Sequence, residues 1–113
     1  MVEQALRRNK QQRETENTEE IEELVRQLKE RCEKLEREGR LDEAVLFGSV
    51  LYPELFHGNS DLDIALDGVS SQDSWTIISE LSRGIDRELD VQFMEDIPEE
   101  WVRNVRDEGI QLL

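Results

Sequence analysis

The chain has 113 residues, which is enough for one small domain with a single hydrophobic core. Its formal net charge of -14 argues against nucleic-acid binding, because proteins bind phosphate backbones with clustered Lys and Arg. No apolar run approaches the roughly 18 residues that span a bilayer, and the N-terminus lacks the apolar segment of a signal peptide. The single cysteine, Cys32, excludes an intramolecular disulfide. Taken together, these three observations predict a cytoplasmic protein with no membrane partner.

The first predicted helix follows a polar segment. Residues 1–16 are rich in Gln, Arg and Glu, which predicts a mobile tail or a frayed helical extension, and we place the folded domain at residues 17–113. Asn17 followed by Glu20 is typical of a helix N-cap with its reciprocal Glu. Apolar residues then recur at helical spacing up to a stop at Gly39, and they are Ile21, Leu24, Val25, Leu28, Cys32 and Leu35.

Two short strands with a loop between them come next. The apolar run at residues 44–47 ends at a glycine and predicts a buried strand. Residues 50–60 contain Pro, Gly and Asn, which predicts a loop with room for one helical turn. The second strand alternates strictly, with one face made of Leu62, Ile64 and Leu66 and the other of Asp61, Asp63 and Ala65.

The C-terminal half predicts two helices and two strands. Ser74 caps a helix, residues 89–93 alternate as a strand, and Pro98 opens a last helix that ends at Gly109, before an edge strand at residues 110–112. The inward faces of the two helices are predicted as Trp75, Ile78, Leu81 and Ile85, and as Trp101, Val102 and Val105. The order of elements predicts an α/β (α+β) fold, a single small domain with a mixed sheet of three to four strands flanked by helices.

Three acidic residues on the polar faces of these strands form a candidate metal site. Asp61 and Asp63 are two positions apart in a strand, so their side chains point the same way about 7 Å apart. Asp90 lies on the polar face of another strand and completes a triad. Carboxylates on a rigid sheet suit Mg²⁺, or Mn²⁺ in its place, held jointly with substrate phosphates. Two such ions activate an incoming hydroxyl and stabilise a leaving pyrophosphate.

A Gly-Ser turn directly after the first strand is a candidate phosphate site. Gly48 lets the backbone approach a phosphate closely, and the amide and hydroxyl of Ser49 can both donate to phosphate oxygens. Gly-Ser or Asp-x-Asp alone carries little information, so the interpretation depends on their conjunction. A calcium-binding loop is the competing explanation for the acidic strand, and it fails because Ala65 occupies a liganding position.

Residues 45–66 (VLFGSVLYPELFHGNSDLDIAL) resemble the minimal nucleotidyltransferases of the polymerase-beta-like superfamily, and the resemblance extends loosely over residues 20–113. It implies that Gly48 and Ser49 hold the triphosphate, with Ser60 of the Ser-Asp-x-Asp motif as a further nucleotide-binding residue. It also implies that the metals and the catalytic step rest on Asp61, Asp63 and Asp90.

Small members of this superfamily resemble the minimal nucleotidyltransferase (MNT) antitoxins of HEPN–MNT toxin–antitoxin pairs. This resemblance implies Mg²⁺-dependent transfer of AMP from ATP onto a tyrosine of a HEPN ribonuclease partner, which silences it. Many relatives carry an Arg soon after Gly-Ser, where this chain has Val50, Leu51 and Tyr52. Backbone amides, the metal, or the more distant Arg83 or Arg87 would then hold the triphosphate. Two other functions stay open: an antitoxin that acts by binding alone, and nucleotidyl transfer to a small molecule.

Overall fold

The fold is a mixed four-stranded sheet with helices on both faces. The computed structural model describes residues 2–113, with side chains described from residue 14 onward. In chain order the helices and strands are α1 (Val2–Arg37), β1 (Glu43–Phe47), β2 (Leu62–Asp67), α2 (Ser74–Ser82), β3 (Leu89–Phe93), α3 (Glu99–Glu108) and β4 (Ile110–Gln111). Two short 3-10 turns, Gly48–Leu51 and Met94–Asp96, follow β1 and β3.

The strands lie in the order β3-β2-β1-β4. Strand β1 pairs antiparallel with both β2 and β4, whereas β2 and β3 run parallel. A parallel pair requires a crossover connection, which α2 supplies between β2 and β3. The predicted small α+β domain with a mixed sheet is therefore confirmed, including the edge strand at the C-terminus.

Helices α1 and α2 cover one face of the sheet. Their apolar side chains pack against the strand residues that point to this face, among them Leu46, Ile64 and Leu66. Cys32 is fully buried here, and burial raises the pKa of its thiol to about 12, so it acts as a small core residue, as predicted. In the described part of the chain, no helix combines the length and the apolar character needed to cross a membrane.

Helix α1 begins much earlier than its apolar stripe. It starts at Val2, so the prediction that Asn17 caps the helix is wrong. Residues 2–16 consist largely of strong helix formers, which do not register in an apolar pattern. Asn17 instead reaches across the fold, and its Nδ2 donates to the carbonyls of Pro53 (2.8 Å) and Phe56 (2.7 Å). The mobility predicted for residues 1–16 stays a prediction, and the side chains of residues 1–13 lie outside the described part.

Helix α3 covers part of the opposite face. A second core cluster joins it to the sheet through Val45, Ala65, Met94, Val102 and Val105. Because α3 packs over β1, the other side of this face, where β2 and β3 pair, is left open. Asp63 shares that face with Ala65, two positions on in the same strand. The side of the sheet face that carries Asp63 is therefore open to solvent beside α3.

The orientation of α2 differs from the prediction at its first turn. The helix buries Ile77 and Leu81, while Trp75 is 80% exposed, so the prediction that Trp75 faces the core is wrong. Trp75 precedes Ile77 by two positions, which places it about 200° around the helix axis. Ser74 is the first residue of the helix, and Asp73 occupies the cap position that we had predicted for Ser74.

Candidate active site

Asp63 and Asp90 lie side by side on neighbouring strands. They are register partners in the parallel pair β2–β3, where adjacent strands are about 4.8 Å apart. Their carboxyl groups are within hydrogen-bonding reach of each other. The sequence placed these two acids on separate strands, and the sheet brings them together.

The electrostatics of Asp63 show that its carboxylate is costly to keep charged. Partial burial, the charge of Asp90, a hydrogen bond to Asp90 and the charge of Asp61 all raise the pKa of Asp63, in that order of size. The charges of Asp61 and Asp90 therefore both act on the carboxyl group of Asp63. A divalent cation placed there would relieve both the repulsion and the loss of hydration.

Asp61 directly precedes β2 and is exposed, so it approaches the pair from the end of the strand. Among the described residues, no group of three or more acidic, His or Cys side chains is gathered tightly enough to hold a metal by itself. Mg²⁺ is usually bound by one or two carboxylates together with substrate phosphates, and it keeps several waters. The donor set of Asp61, Asp63 and Asp90 fits a metal that arrives with a nucleotide.

Gly48 lies against the carboxylate of Asp63. Its φ of +80° is in the left-handed region, and a Cβ built on it would meet Oδ2 of Asp63 at 2.2 Å. Phe47, the residue before it, is the register partner of Asp63 in the β1–β2 pair. The Gly-Ser turn is therefore next to the acids, and only glycine fits there without displacing Asp63. Ser49 follows within the 3-10 turn and is half-buried.

Two clefts open beside this point, separated by an aromatic pair. Phe47 and Trp101 pack edge to face, with ring centroids 5.1 Å apart. One cleft of about 450 Å³ is lined by Phe47, Asp63, Asp90, Gln92, Ile97, Pro98 and Trp101. The other, of about 290 Å³, is lined by Phe47, Gly48, Leu51, Tyr52, Trp101, Asn104, Val105 and Glu108.

Trp101 is a site residue that the sequence prediction missed. We expected it in the core, but it is 38% exposed, and Val102 and Val105 are the buried residues of α3. A signal was present in the sequence. Val102 and Val105 are three apart and define the buried stripe, so an aromatic residue at position 101 falls at the edge of that stripe.

Comparison with known proteins identifies the family of this chain. Residues 26–113 match the family Polymerase beta, Nucleotidyltransferase. The chain belongs to this nucleotidyltransferase family. It is also similar to a chain in the crystal structure of a toxin–antitoxin with AMP-PNP, with 26% identity, a TM-score of 0.56 and coverage of 75% of this chain and 72% of that chain. None of the curated proteins matches the sequence.

Within the nucleotidyltransferase domain, Ser60 has a structural role in the loop before β2. Its side chain is buried, and its Oγ accepts a hydrogen bond from the His57 amide at 2.9 Å. The Ser60 amide donates back to the His57 carbonyl at 3.0 Å. These contacts close the loop and explain the residue without a ligand, so its contact with a nucleotide stays a prediction.

Arg87 is engaged elsewhere in the nucleotidyltransferase domain. Its side chain is 5% exposed, and it donates to the carbonyls of His57 (2.6 Å) and Ser60 (2.9 Å) and to a carboxylate oxygen of Glu20 (2.7 Å). Its guanidinium also lies 4.0 Å from the ring centroid of Phe56. The hypothesis that Arg87 holds the triphosphate is therefore wrong for this arrangement.

Arg83 is also on the wrong side of the sheet for the triphosphate. It follows the end of α2 and lines a small cavity with Arg31 and Lys34 of α1. Helices α1 and α2 cover the face opposite to the acids. Of the sources of triphosphate contact that we expected, the backbone of the Gly-Ser turn is the one that lies next to Asp63.

Proposed function

We propose that this domain is an antitoxin that transfers AMP from ATP, with Mg²⁺ as cofactor, to a tyrosine of a HEPN-type toxin. The observation that carries the proposal is the contact of Gly48 with Asp63, beside Asp90. A phosphate-binding turn and a pair of acids on adjacent strands are the two parts that metal-dependent nucleotidyl transfer requires.

Each site residue has a defined task in this reaction. The backbone at Gly48 and Ser49 holds the phosphates, Asp61 and Asp63 hold the cation, and Asp90 accepts the proton of the acceptor hydroxyl. The acceptor oxygen forms a bond to the α-phosphorus, the bond from that phosphorus to the bridging oxygen breaks, and pyrophosphate leaves. The bound Mg²⁺ would supply charge neutralisation for the triphosphate.

The partner is proposed from two sources. The similar solved structure is that of a toxin–antitoxin with AMP-PNP, and its similarity covers about three quarters of this chain. The resemblance of the Gly-Ser and Ser-Asp-x-Asp residues to MNT antitoxins supplies the finer assignment of a HEPN toxin and a tyrosine acceptor. A net charge of -14 is compatible with a protein partner that brings basic groups.

A second candidate is an antitoxin that neutralises its toxin by binding alone. This function is favoured by the scarcity of basic side chains beside the Gly-Ser turn. Val50, Leu51 and Tyr52 follow the turn, and Arg87 donates its hydrogen bonds to loop carbonyls instead. A triphosphate held without an arginine is bound less tightly, because charge-assisted hydrogen bonds are about twice as strong as neutral ones.

Label transfer combined with toxin neutralisation separates the two candidates. The purified protein is incubated with a candidate HEPN-type toxin, Mg²⁺ and ATP labelled at the α-phosphate. We expect label on the partner with the wild type and with the control variant Asp67→Asn. Asp67 is an acid on the same strand face as Asp63, about 13 Å along the strand from it. Asp63→Asn should remove both the label and the neutralisation. If Asp63→Asn transfers no label but still neutralises the toxin fully, the binding-only function is established.

A further inference from the structure

The larger cleft has two chemically different ends. One end carries the carboxylates of Asp63 and Asp90, with Gln92 beside them, its Nε2 3.5 Å from an Asp90 oxygen. The other end is apolar and is formed by Ile97, Pro98 and Trp101. A ligand that fits must therefore present a polar atom to the acids and an apolar body to α3.

The phosphate-binding turn belongs to the other cleft. Gly48 lines the smaller cleft and does not line the larger one, whereas Asp90 lines only the larger. Phe47 and Trp101 line both and form the partition between them. Phosphates held at Gly48 reach Asp63 from one side of this partition, so a second substrate has access to Asp63 and Asp90 from the other side.

We infer that the larger cleft is the acceptor site and that it takes a phenolic side chain, with Trp101 as its specificity-determining residue. This inference rests on the proposed function. A tyrosine places a flat apolar ring against Ile97, Pro98 and Trp101 while its hydroxyl reaches Asp90. A serine or threonine hydroxyl is attached too close to its own backbone to use these walls, and a sugar would face them with polar groups.

A phenol can serve as the acceptor at the acidic end of the larger cleft, with a place for its proton and for the leaving pyrophosphate. The phenolic oxygen attacks the α-phosphorus of ATP, and its proton passes to the Asp90 carboxylate as the bond to pyrophosphate breaks. Gln92 is placed to orient Asp90 from the next position on the same strand face. The volume of about 450 Å³ leaves room for the peptide backbone that carries the tyrosine.

Steady-state kinetics test the role of Trp101. We expect Trp101→Ala to raise the KM for the tyrosine acceptor roughly tenfold, the scale of one lost aromatic contact, and to raise the KM for ATP less, because Trp101 only borders the smaller cleft. Trp101→Phe should restore most of the acceptor affinity. Trp75→Ala is the matched control, because Trp75 is exposed on α2, which packs on the opposite face. A larger rise in the KM for ATP than in the KM for the acceptor would show that the larger cleft holds the nucleobase and would overturn the inference.

A binding measurement decides the matter even if no transfer occurs. The protein labelled with 5-fluorotryptophan has two fluorine resonances, from Trp75 and Trp101, and is titrated with N-acetyl-tyrosinamide in the presence of a bound non-hydrolysable ATP analogue. We expect the Trp101 resonance to shift and the Trp75 resonance to stay, with no effect of N-acetyl-serinamide. An unmoved Trp101 resonance, or competition with the nucleotide, contradicts the acceptor site. Absent label transfer with a shifted Trp101 would contradict the proposed reaction alone.

Discussion

At the scale of single residues, Asp63 contributes to the site at a cost to the fold. Its carboxylate is partly buried and lies beside two other acids, which raise its pKa. In the unfolded chain the same carboxyl titrates near its ordinary value of about 3.9. Folding is therefore least favourable, as far as Asp63 is concerned, above its folded-state pKa, where the group is charged in both states.

Removing this charge should stabilise the protein at neutral pH. We expect Asp63→Asn to raise the Tm at pH 7 in the absence of metal, and the gain should shrink as the pH falls through the folded-state pKa of Asp63 toward about 4. Thermal melts over this pH range measure it. Asp67→Asn is the control and should give no gain, because the Asp67 charge attracts Arg106. An Asp63→Asn protein less stable than wild type at pH 7 would contradict the electrostatic account.

Gly48 provides a second test at this scale. Ala at this position adopts an unfavourable φ and pushes Asp63 aside, so Gly48→Ala should cost about 1–2 kcal/mol and abolish nucleotide binding. Gly39→Ala is a matched control, since Gly39 has a similar φ of +71° with no atom within 4 Å of an added Cβ. It should cost about 1 kcal/mol and leave binding intact. Urea melts and nucleotide titrations of both variants check this, and equal binding losses would exclude a specific role for Gly48.

The residues of the candidate site could be proposed from the sequence, but some of their structural neighbours could not. Strand alternation put Asp61 and Asp63 on one face and Asp90 on the polar face of another strand. Nothing in the sequence indicated that Arg87 would donate its hydrogen bonds to the carbonyls of a distant loop, because such bonds depend on tertiary contacts. Trp101 was assigned to the core because an apolar pattern does not distinguish a buried residue from the wall of a cleft.

At the scale of elements, the loop before β2 is held in place by Arg87. The guanidinium joins the loop carbonyls of His57 and Ser60 to Glu20 of α1, and Asn17 holds the same loop from α1. The loop leads directly into Asp61, so its position determines where that carboxylate stands. Arg87 therefore acts on the site through the backbone.

We expect Arg87→Met to cost about 2–3 kcal/mol, because it leaves carbonyl groups without their charged donor. The loop at residues 53–60 should also become susceptible to limited proteolysis. Arg26→Met is the control, because the Arg26–Glu23 pair is exposed and is worth about 0.5 kcal/mol or less. Urea denaturation measures the costs, and equal values for the two variants would show that Arg87 does not hold the loop.

The elements themselves were largely predictable, and their arrangement was not. The strand at residues 89–93 and the helix between Pro98 and Gly109 have the predicted bounds, because alternation and punctuating residues are local signals. The start of α1 at Val2 was predicted only as one alternative, a helical extension before Asn17, because the first half of the helix carries no apolar stripe. The strand order β3-β2-β1-β4, which brings Asp63 beside Asp90, depends on pairing that no local signal specifies.

At the scale of the whole molecule, a net charge of -14 acts against the folded state through self-repulsion. Raising NaCl from about 20 mM to about 300 mM shortens the Debye length from roughly 20 Å to about 6 Å. We expect the Tm at pH 7 to rise by a few degrees, since about 1 kcal/mol shifts the Tm of such a domain by roughly 4 °C. Calorimetry near the pI of about 4.4 is the control, where the rise should vanish. A salt effect of equal size at both pH values would contradict repulsion as its cause.

The central claim is that the acids on β2 and β3 hold a divalent ion beside the phosphate turn, and the binding of Mn²⁺ tests it most directly. Electron paramagnetic resonance counts free Mn²⁺ during titration of the protein with a non-hydrolysable ATP analogue present. We predict that Asp63→Asn weakens Mn²⁺ binding at least about tenfold, the loss that even an outer-shell partner causes, and that Asp67→Asn binds as the wild type does. Equal Mn²⁺ binding by the wild type and Asp63→Asn would contradict the account.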